Sequence, residues 1–346
     1  MLRWVKDYVL VRKGIFMKLS VLDQAPVTQG NKAAEALLKA EELAILADEL
    51  GYTRMWMAEH HGTENYASSA PEITIAHLAA KTKNIRLGTG GTMMMHYSPL
   101  KMAEVFKTLS AFSPGRIDFG VGRAPGGDHA SMFALAQGNR PNVDNMYEKL
   151  DVALQLMNDE RPKDDLYNKT IATPSGIVLP EAWLLGSSGN SAVQAGRRGI
   201  GYSYAQFFTG TMEKDVLDEY RRNFEPSAFM EKSEINVAYM VTAAETTEEA
   251  EYEALPQDLV RLWMSQGKMG PILTPEEAQN YPLTEVDRMN ILDSRSQHIV
   301  GSAKEVAVNL MQQQEHYGFD EAMICSIPHS QEQRLNTYRL LAKELL

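Results

Sequence analysis

Four short stretches of the chain carry residues that could do chemistry, and each follows an apolar run of strand length. The first is Glu59-His60-His61-Gly62, directly after Arg54 to Ala58. A carboxylate and two imidazoles at a strand end offer proton acceptors near neutral pH. The ordinary alternative is a hydrogen-bonded strand terminus, and the position after a strand favours chemistry. Adjacent residues of an extended strand face opposite ways, so His60 and His61 do not easily share one ion. Glu59 and His61 share a face, but no further carboxylate-histidine cluster at a strand end completes a site. No metal is expected.

The second stretch, Leu87-Gly88-Thr89-Gly90-Gly91-Thr92-Met93, ends another run. Glycines there let the backbone approach a planar ligand with no side chain between, or simply let the chain turn. Met93-Met94-Met95 is adaptable packing by default, although a flat ring could lie against it. The third stretch is Gly120-Val121-Gly122-Arg123. Its arginine could clamp a phosphate through the planar guanidinium, a surface ion pair being the ordinary use. The fourth is Leu185-Gly186-Ser187-Ser188-Gly189-Asn190-Ser191, at the join of a strand and a helix. Backbone N–H groups, hydroxyls and the helix dipole would favour a dianionic phosphate there, against the plain alternative of an N-cap. No Gly-Lys-Ser/Thr follows, so this is not a Walker loop.

These stretches must be positioned by the elements around them. Eight short apolar runs alternate with helical patterns: Leu19 to Leu22, Arg54 to Ala58, Ile85 to Gly90, Arg116 to Gly120, Ala182 to Gly186, Ile200 to Tyr204, Ile235 to Val241 and Glu321 to Cys325. Such alternation marks βαβ units and a parallel sheet. The first helix carries Leu43, Leu46, Ala47 and Leu50 on one face, opened by Asn31 and closed by Gly51. Capping boxes are expected at Ser69 with Glu72, Thr246 with Glu249, Thr274 with Glu277 and Ser302 with Glu305. Ser98-Pro99 starts another helix, the helix from Ser302 ends at Gly318, and a last one runs from about Gln331.

An open doubly wound sheet would carry a dinucleotide turn, but a GxGxxG begun at Gly120 meets Pro125 where its last glycine is required. The expected fold is therefore α/β, a (β/α)8 TIM barrel, in which Arg123 and the serine stretch converge at one mouth. Two stretches exceed ordinary βα connections of ~2–6 residues, from about 122 to 180 and from about 255 to 298. They read as insertions after the fourth and seventh barrel strands. The second, with Leu259, Leu262 and Trp263 in a helical patch, is the candidate lid.

The chain has 346 residues, with 34 basic and 45 acidic side chains and a net charge of −11. This field repels a phosphate backbone, so nucleic acid is not an expected partner. A lone cysteine, Cys325, excludes an internal disulfide and a CxxC site, and a reducing cytoplasm is the expected setting. No stretch of ~18 apolar residues is present to span a membrane. Residues 1 to 16 have charges interrupting every apolar run and read as a loose N-terminal extension, with Met17 as the expected natural start.

In order and spacing, MWMAEHHG (core 56 to 62), IRLGTGGTMM, SPGRIDFGVGR from Ser113 to Arg123 and LLGSSGNSA from Leu184 to Ala192 resemble the bacterial luciferase-like flavin-dependent monooxygenase family. The likeness is to its uncharacterised luciferase-like oxidoreductases more than to the light-emitting subunits. It covers nearly the whole chain from about Lys18. The resemblance implies a (β/α)8 barrel that binds FMN, used as reduced FMN delivered by a separate flavin reductase, and a homodimer. It implies a monooxygenase that oxidises a small organic substrate with O2 through a C4a-peroxyflavin. By the same resemblance His60 is the catalytic histidine beside the flavin ring. Gly90 and Gly91, with Thr92 after them, are the strand-end pair under that ring, often joined by a cis peptide. Arg123 binds the phosphate, and Ser187, Ser188, Gly189 and Ser191 form the phosphate loop. Glycine stands at 122 where the family has a reactive cysteine. Two other readings remain at this stage: a deazaflavin (F420)-dependent hydride-transfer oxidoreductase, and a non-catalytic flavin-binding partner subunit.

Overall fold

Every one of the eight apolar runs becomes a strand, and the strands close on themselves. The structure, a computed structural model, describes residues 17–123, 126–139, 142 and 144–346. The expected extension at 1–16 lies outside the described residues. The barrel strands are β1 (Lys18–Asp23), β2 (Arg54–Met57), β3 (Arg86–Thr89), β5 (Ile117–Gly122), β6 (Glu181–Gly186), β7 (Gly201–Ala205), β8 (Ile235–Ala244) and β10 (Glu321–Cys325). All pair in parallel, and β10 pairs with both β1 and β8, which closes the ring. Strands β2, β5, β7, β8 and β10 are buried at every residue, as a parallel sheet covered on both faces requires.

Two further strands were not anticipated. The short β4 (Thr92–Met93) resumes after Gly91 and pairs with the end of β5. Strand β9 (His298–Ser302) pairs with the far half of β8, from Met240 to Ala244. Its apolar content is only Ile299 and Val300 between polar neighbours, too little to register as a run.

The helices are α1 (Ala33–Leu50), α2 (Pro71–Lys81), α3 (Pro99–Phe112), α4 (His129–Leu135), α5 (Met146–Met157), α6 (Gly189–Arg197), α7 (Gln206–Thr209), α8 (Lys214–Arg222), α9 (Thr247–Ser265), α10 (Pro275–Gln279), α11 (Glu285–Ser294), α12 (Ala303–Tyr317) and α13 (Gln331–Leu345). Helices α4 and α5 occupy the stretch between β5 and β6, while α9, α10 and α11 lie between β8 and β9. Among the described residues, no helix is long and apolar enough to cross a membrane.

Reciprocal capping boxes form at Thr274 with Glu277 and at Ser302 with Glu305, whereas Thr246 accepts from the Glu249 amide. The expected box of Ser69 with Glu72 does not form. Pro71 takes the first helical position and shifts the start, leaving Ala70 as an N-cap without a side-chain bond. Asn31 likewise stands one residue outside the cap of α1, which is Lys32, and its amide donates to Thr28 Oγ1 instead.

Inside the barrel the side chains form layers. At the N-terminal end, Arg54 donates to Glu321 at 2.9 Å, to Asp118 at 2.8 Å and to Glu181 at 3.0 Å. Arg86 donates to the other Asp118 oxygen at 2.6 Å, and the Trp56 indole N–H reaches Asp118 at 2.9 Å. Burial alone would push the Asp118 carboxyl up, but Arg54 and Arg86 outweigh it and hold it below the usual range. Above this charged plug Trp56 and Trp183 meet edge to face with centroids 5.5 Å apart, and the Arg54 guanidinium lies over Trp183. Towards the C-terminal mouth the interior turns apolar. Leu22, Ala238, Met240, Met323 and Cys325 pack with Leu259, Val260, Leu262 and Trp263 of α9. Helix α9 therefore packs on this apolar C-terminal end of the interior.

Candidate active site

A cavity of about 650 Å³ opens at the C-terminal ends of the strands. Gly90, Gly91, Gly122, Arg123, Ser187, Ser188 and Ser191 all line it. Three stretches far apart in sequence are thus brought to one hollow.

The floor is built of backbone. Gly90 and Gly91 are joined by a cis peptide bond. A Cβ on Gly91 would stand 2.8 Å from the Gly122 nitrogen, and one on Gly90 would stand 2.7 Å from Leu22 Cδ1. At Gly122 an added Cβ would meet only the Met93 side chain, its sulfur at 3.7 Å and its methyl at 4.0 Å, which is ordinary contact. Thr92 is not part of the lining. It is buried behind the floor, with its hydroxyl on Thr89 Oγ1 at 3.1 Å.

At one end of the floor, Ser188 caps α6. The Ser188 amide bonds to Ser191 Oγ and the Ser191 amide to Ser188 Oγ. Ser191 is also fixed by the Tyr202 hydroxyl at 3.1 Å. The amides of Gly189 and Asn190 then have no partner among the described residues, as the first turn of a helix leaves them. A Cβ on Gly189 would meet nothing within 4 Å. Arg123, exposed, lines the same cavity with no carboxylate partner among the described residues. A cation and free helix-terminal N–H groups beside a floor without side chains suit a planar ring that carries a phosphate.

The Glu59-His60-His61 stretch divides differently from the expectation. Glu59 is fully buried: Oε1 accepts from the Tyr97 hydroxyl at 2.7 Å and meets His61 Nε2 at 2.8 Å, and Oε2 accepts from the Met93 amide at 2.9 Å. It ties the end of β2 to β4. His60 is not among the residues that line the cavity. Its ring stacks on Tyr66 with centroids 4.6 Å apart, and Tyr66 packs into the apolar cluster that includes the cavity-lining Leu22, Ala238 and Met323.

Burial, reinforced by His61, pushes the His60 pKa down to about 4 from an ordinary 6.5. A depressed histidine means that the unfolded chain binds the proton more readily. The stability contribution is therefore intact above 6.5 and is lost as pH falls from 6.5 to about 4. The loss amounts to about 3 kcal/mol. Urea unfolding at a series of pH values should show this slope, and His60→Gln should flatten it. An unchanged slope would count against the buried neutral imidazole.

The lining also includes residues not foreseen: Tyr147 from α5, Phe207 and Phe208 from α7, and Met323 from β10. None sits in a local motif, so only closure of the barrel brings them to the cavity. Among the described residues no three His, Cys, Asp or Glu side chains are grouped to hold a metal ion.

Fold and cavity together define a TIM-barrel enzyme of the kind whose chemistry sits at the C-terminal ends of its strands. The family model of the luciferase-like monooxygenases matches residues 17–321, and the chain belongs to that family. It is an oxidoreductase that uses oxygen. The chain is 37% identical to the uncharacterized protein YwcH of Bacillus subtilis, over 94% of this chain and 98% of that one. It is 36% identical to the N-acetyl-S-alkylcysteine monooxygenase of the same organism, over 95% and 98% of the two chains. Among solved structures, apo-MsnO8 superposes with a TM-score of 0.86 at 36% identity, covering 95% of this chain and 98% of that one.

Proposed function

We propose that the protein is a flavin-dependent monooxygenase that uses reduced FMN and O2 to oxidise a small organic substrate. The observation that carries this reading is the meeting of Arg123, the α6 N-terminus and the glycine floor in one cavity. Arg123, Ser187, Ser188 and the amides of Gly189 and Asn190 would hold the phosphate. Gly90, Gly91 and Gly122 would seat the ring, since a side chain at Gly91 would collide with the opposing backbone. Bound reduced FMN supplies the electrons that activate dioxygen, so that one oxygen atom enters the substrate and the other leaves as water.

The protein's own contribution is shelter and placement. Helix α9 and the segment up to His298, packed on the apolar end of the barrel, would act as the lid that keeps water out. Neutral His60 is a proton acceptor at the edge of the same apolar cluster. A separate flavin reductase and a homodimer complete the reading. The activity of the N-acetyl-S-alkylcysteine monooxygenase relative makes S-alkylated N-acetylcysteines the first compounds to try.

Anaerobic titration with reduced FMN tests the site. Arg123→Ala should weaken binding by about tenfold to a hundredfold, the range of a hydrogen bond to a charged group. Unchanged affinity would remove Arg123 from the phosphate site. Oxygen uptake on admitting air to the reduced FMN complex with substrate present separates this chemistry from deazaflavin hydride transfer, which consumes none.

A further inference from the structure

We propose that Ser203 sets the specificity of the substrate end of the cavity. Its hydroxyl is the polar contact in an otherwise apolar wall, so the site takes neutral carbonyl compounds with an apolar body in preference to organic acids. This rests on the monooxygenase reading above and names the substrate class for that site.

The first observation is where the hydroxyl stands. Side chains alternate along β7, and Tyr202 turns outward, its hydroxyl on Ser191 and its ring stacked on Tyr220 of α8. Tyr204 also turns outward and reaches the Thr211 carbonyl. Ser203 between them therefore faces the barrel interior, where it lines the cavity together with Ala205. The residue is only 2% exposed, yet its hydroxyl makes no hydrogen bond among the described residues. Its neighbour in register on β8, Asn236, is sealed from the cavity with neither amide atom bonded, whereas the Ser203 hydroxyl keeps accessible surface. The polarity of this part of the wall is thus neutral on both strands. A buried hydroxyl without a partner costs desolvation, which an acceptor on a ligand would offset.

The second observation is charge. The glycine floor lies at the ends of β3 and β5, and halfway round the ring of strands from these stand β8 and β10. There the lining is Ala238 and Met323, with Leu22 of the adjoining β1 and the paired rings of Phe207 and Phe208, 4.6 Å apart, after β7. Among the described residues Arg123 is the one charged side chain of the lining, and in the reading above the phosphate takes it. The plug deeper in the barrel sets the carboxylates of Asp118, Glu181 and Glu321 against the guanidiniums of Arg54 and Arg86, so it too disfavours an anion above it. A carboxylate at this end would lose its water with no cation to meet it. A neutral carbonyl loses far less and gains the Ser203 O–H.

The test uses three probes of one shape: benzylacetone, a neutral ketone; hydrocinnamate, the matching acid; and butylbenzene, which has no polar atom. Calorimetric titration under nitrogen, with the protein saturated with reduced FMN, should show the ketone bound about tenfold or more tighter than the acid at neutral pH. Ser203→Ala should weaken the ketone by about threefold to tenfold, the range of one neutral hydrogen bond, and leave butylbenzene unchanged. Ala238→Leu, which fills the apolar wall, should weaken the ketone and butylbenzene alike. Acid bound as tightly as the ketone, no binding of the ketone, or a ketone affinity that survives Ser203→Ala would overturn the assignment. FMN affinity, measured on the same preparations, should be the same in Ser203→Ala as in the parent. A several-fold loss there would give the hydroxyl to the flavin and overturn the assignment as well. Failure of the parent protein to bind FMN would strike the monooxygenase reading itself, whereas intact FMN binding without preference for the ketone strikes only this inference.

Discussion

Arg54→Ala should lower the free energy of unfolding by about 3–5 kcal/mol, the usual cost of leaving buried charge without its partner. The side chain is fully buried and is the hub of the plug, donating to Glu321, Asp118 and Glu181. Without it three carboxylates face one another at the barrel's end, and Arg86 can answer only Asp118 and Glu181. The effect is sharpened by burial, which already pushes the Glu321 carboxyl up against the pull of Arg54. Urea unfolding followed by tryptophan fluorescence is the direct measurement, since Trp56 and Trp183 sit on the plug. Arg54→Lys keeps the charge but lacks the fork that serves several carboxylates, so an intermediate loss is expected. An Arg54→Ala protein within about 1 kcal/mol of the parent would mean that the plug accepts protons or water at little cost. Loss of the Arg54 charge should also raise the Asp118 pKa. Stability that Asp118 contributes above the ordinary carboxylate range, and loses as pH falls through its depressed value, would then disappear from the acid limb.

Glu59→Ala is the second large effect, at about 3–5 kcal/mol, together with loss of flavin binding. Its carboxylate answers three groups at once, the Tyr97 hydroxyl, the Met93 amide and the His61 imidazole. Removing it strands these groups and frees β4, the short strand that begins immediately after Gly91 in the cavity floor. Glu59→Gln separates a structural role from an acid-base one. An amide oxygen could still serve both Tyr97 and His61, as Oε1 does, but its NH2 would then face the Met93 N–H, donor against donor. The structural role therefore requires a lower melting temperature and weaker FMN binding in Glu59→Gln. A variant that melts like the parent and binds FMN normally, yet does not turn over, would instead make Glu59 part of the chemistry.

The eight barrel strands, most helix ends and the stretches that meet in the cavity were legible along the chain because each is encoded locally. Apolar runs of strand length, Gly51 and Gly318 in the left-handed region, and Thr274 with Glu277 are all properties of neighbours in sequence. Even the glycines of the floor announce themselves, since backbone that must lie bare has no other residue to use. What closure of the barrel decided is of another kind. Arg54 meets Asp118, Glu181 and Glu321 across separations of 64, 127 and 267 residues, and no periodicity records such pairings. The same holds for Phe207, Phe208 and Tyr147 on the cavity wall. It also separates the residues of one tripeptide: alternation along the chain turned Glu59 inward as a fastening for β4, while His60 came to rest on Tyr66 beside the cavity. Local spacing specifies which elements form and where backbone is exposed, whereas the charge and shape that a ligand would meet arise only when the ring of strands brings distant side chains within a few ångströms.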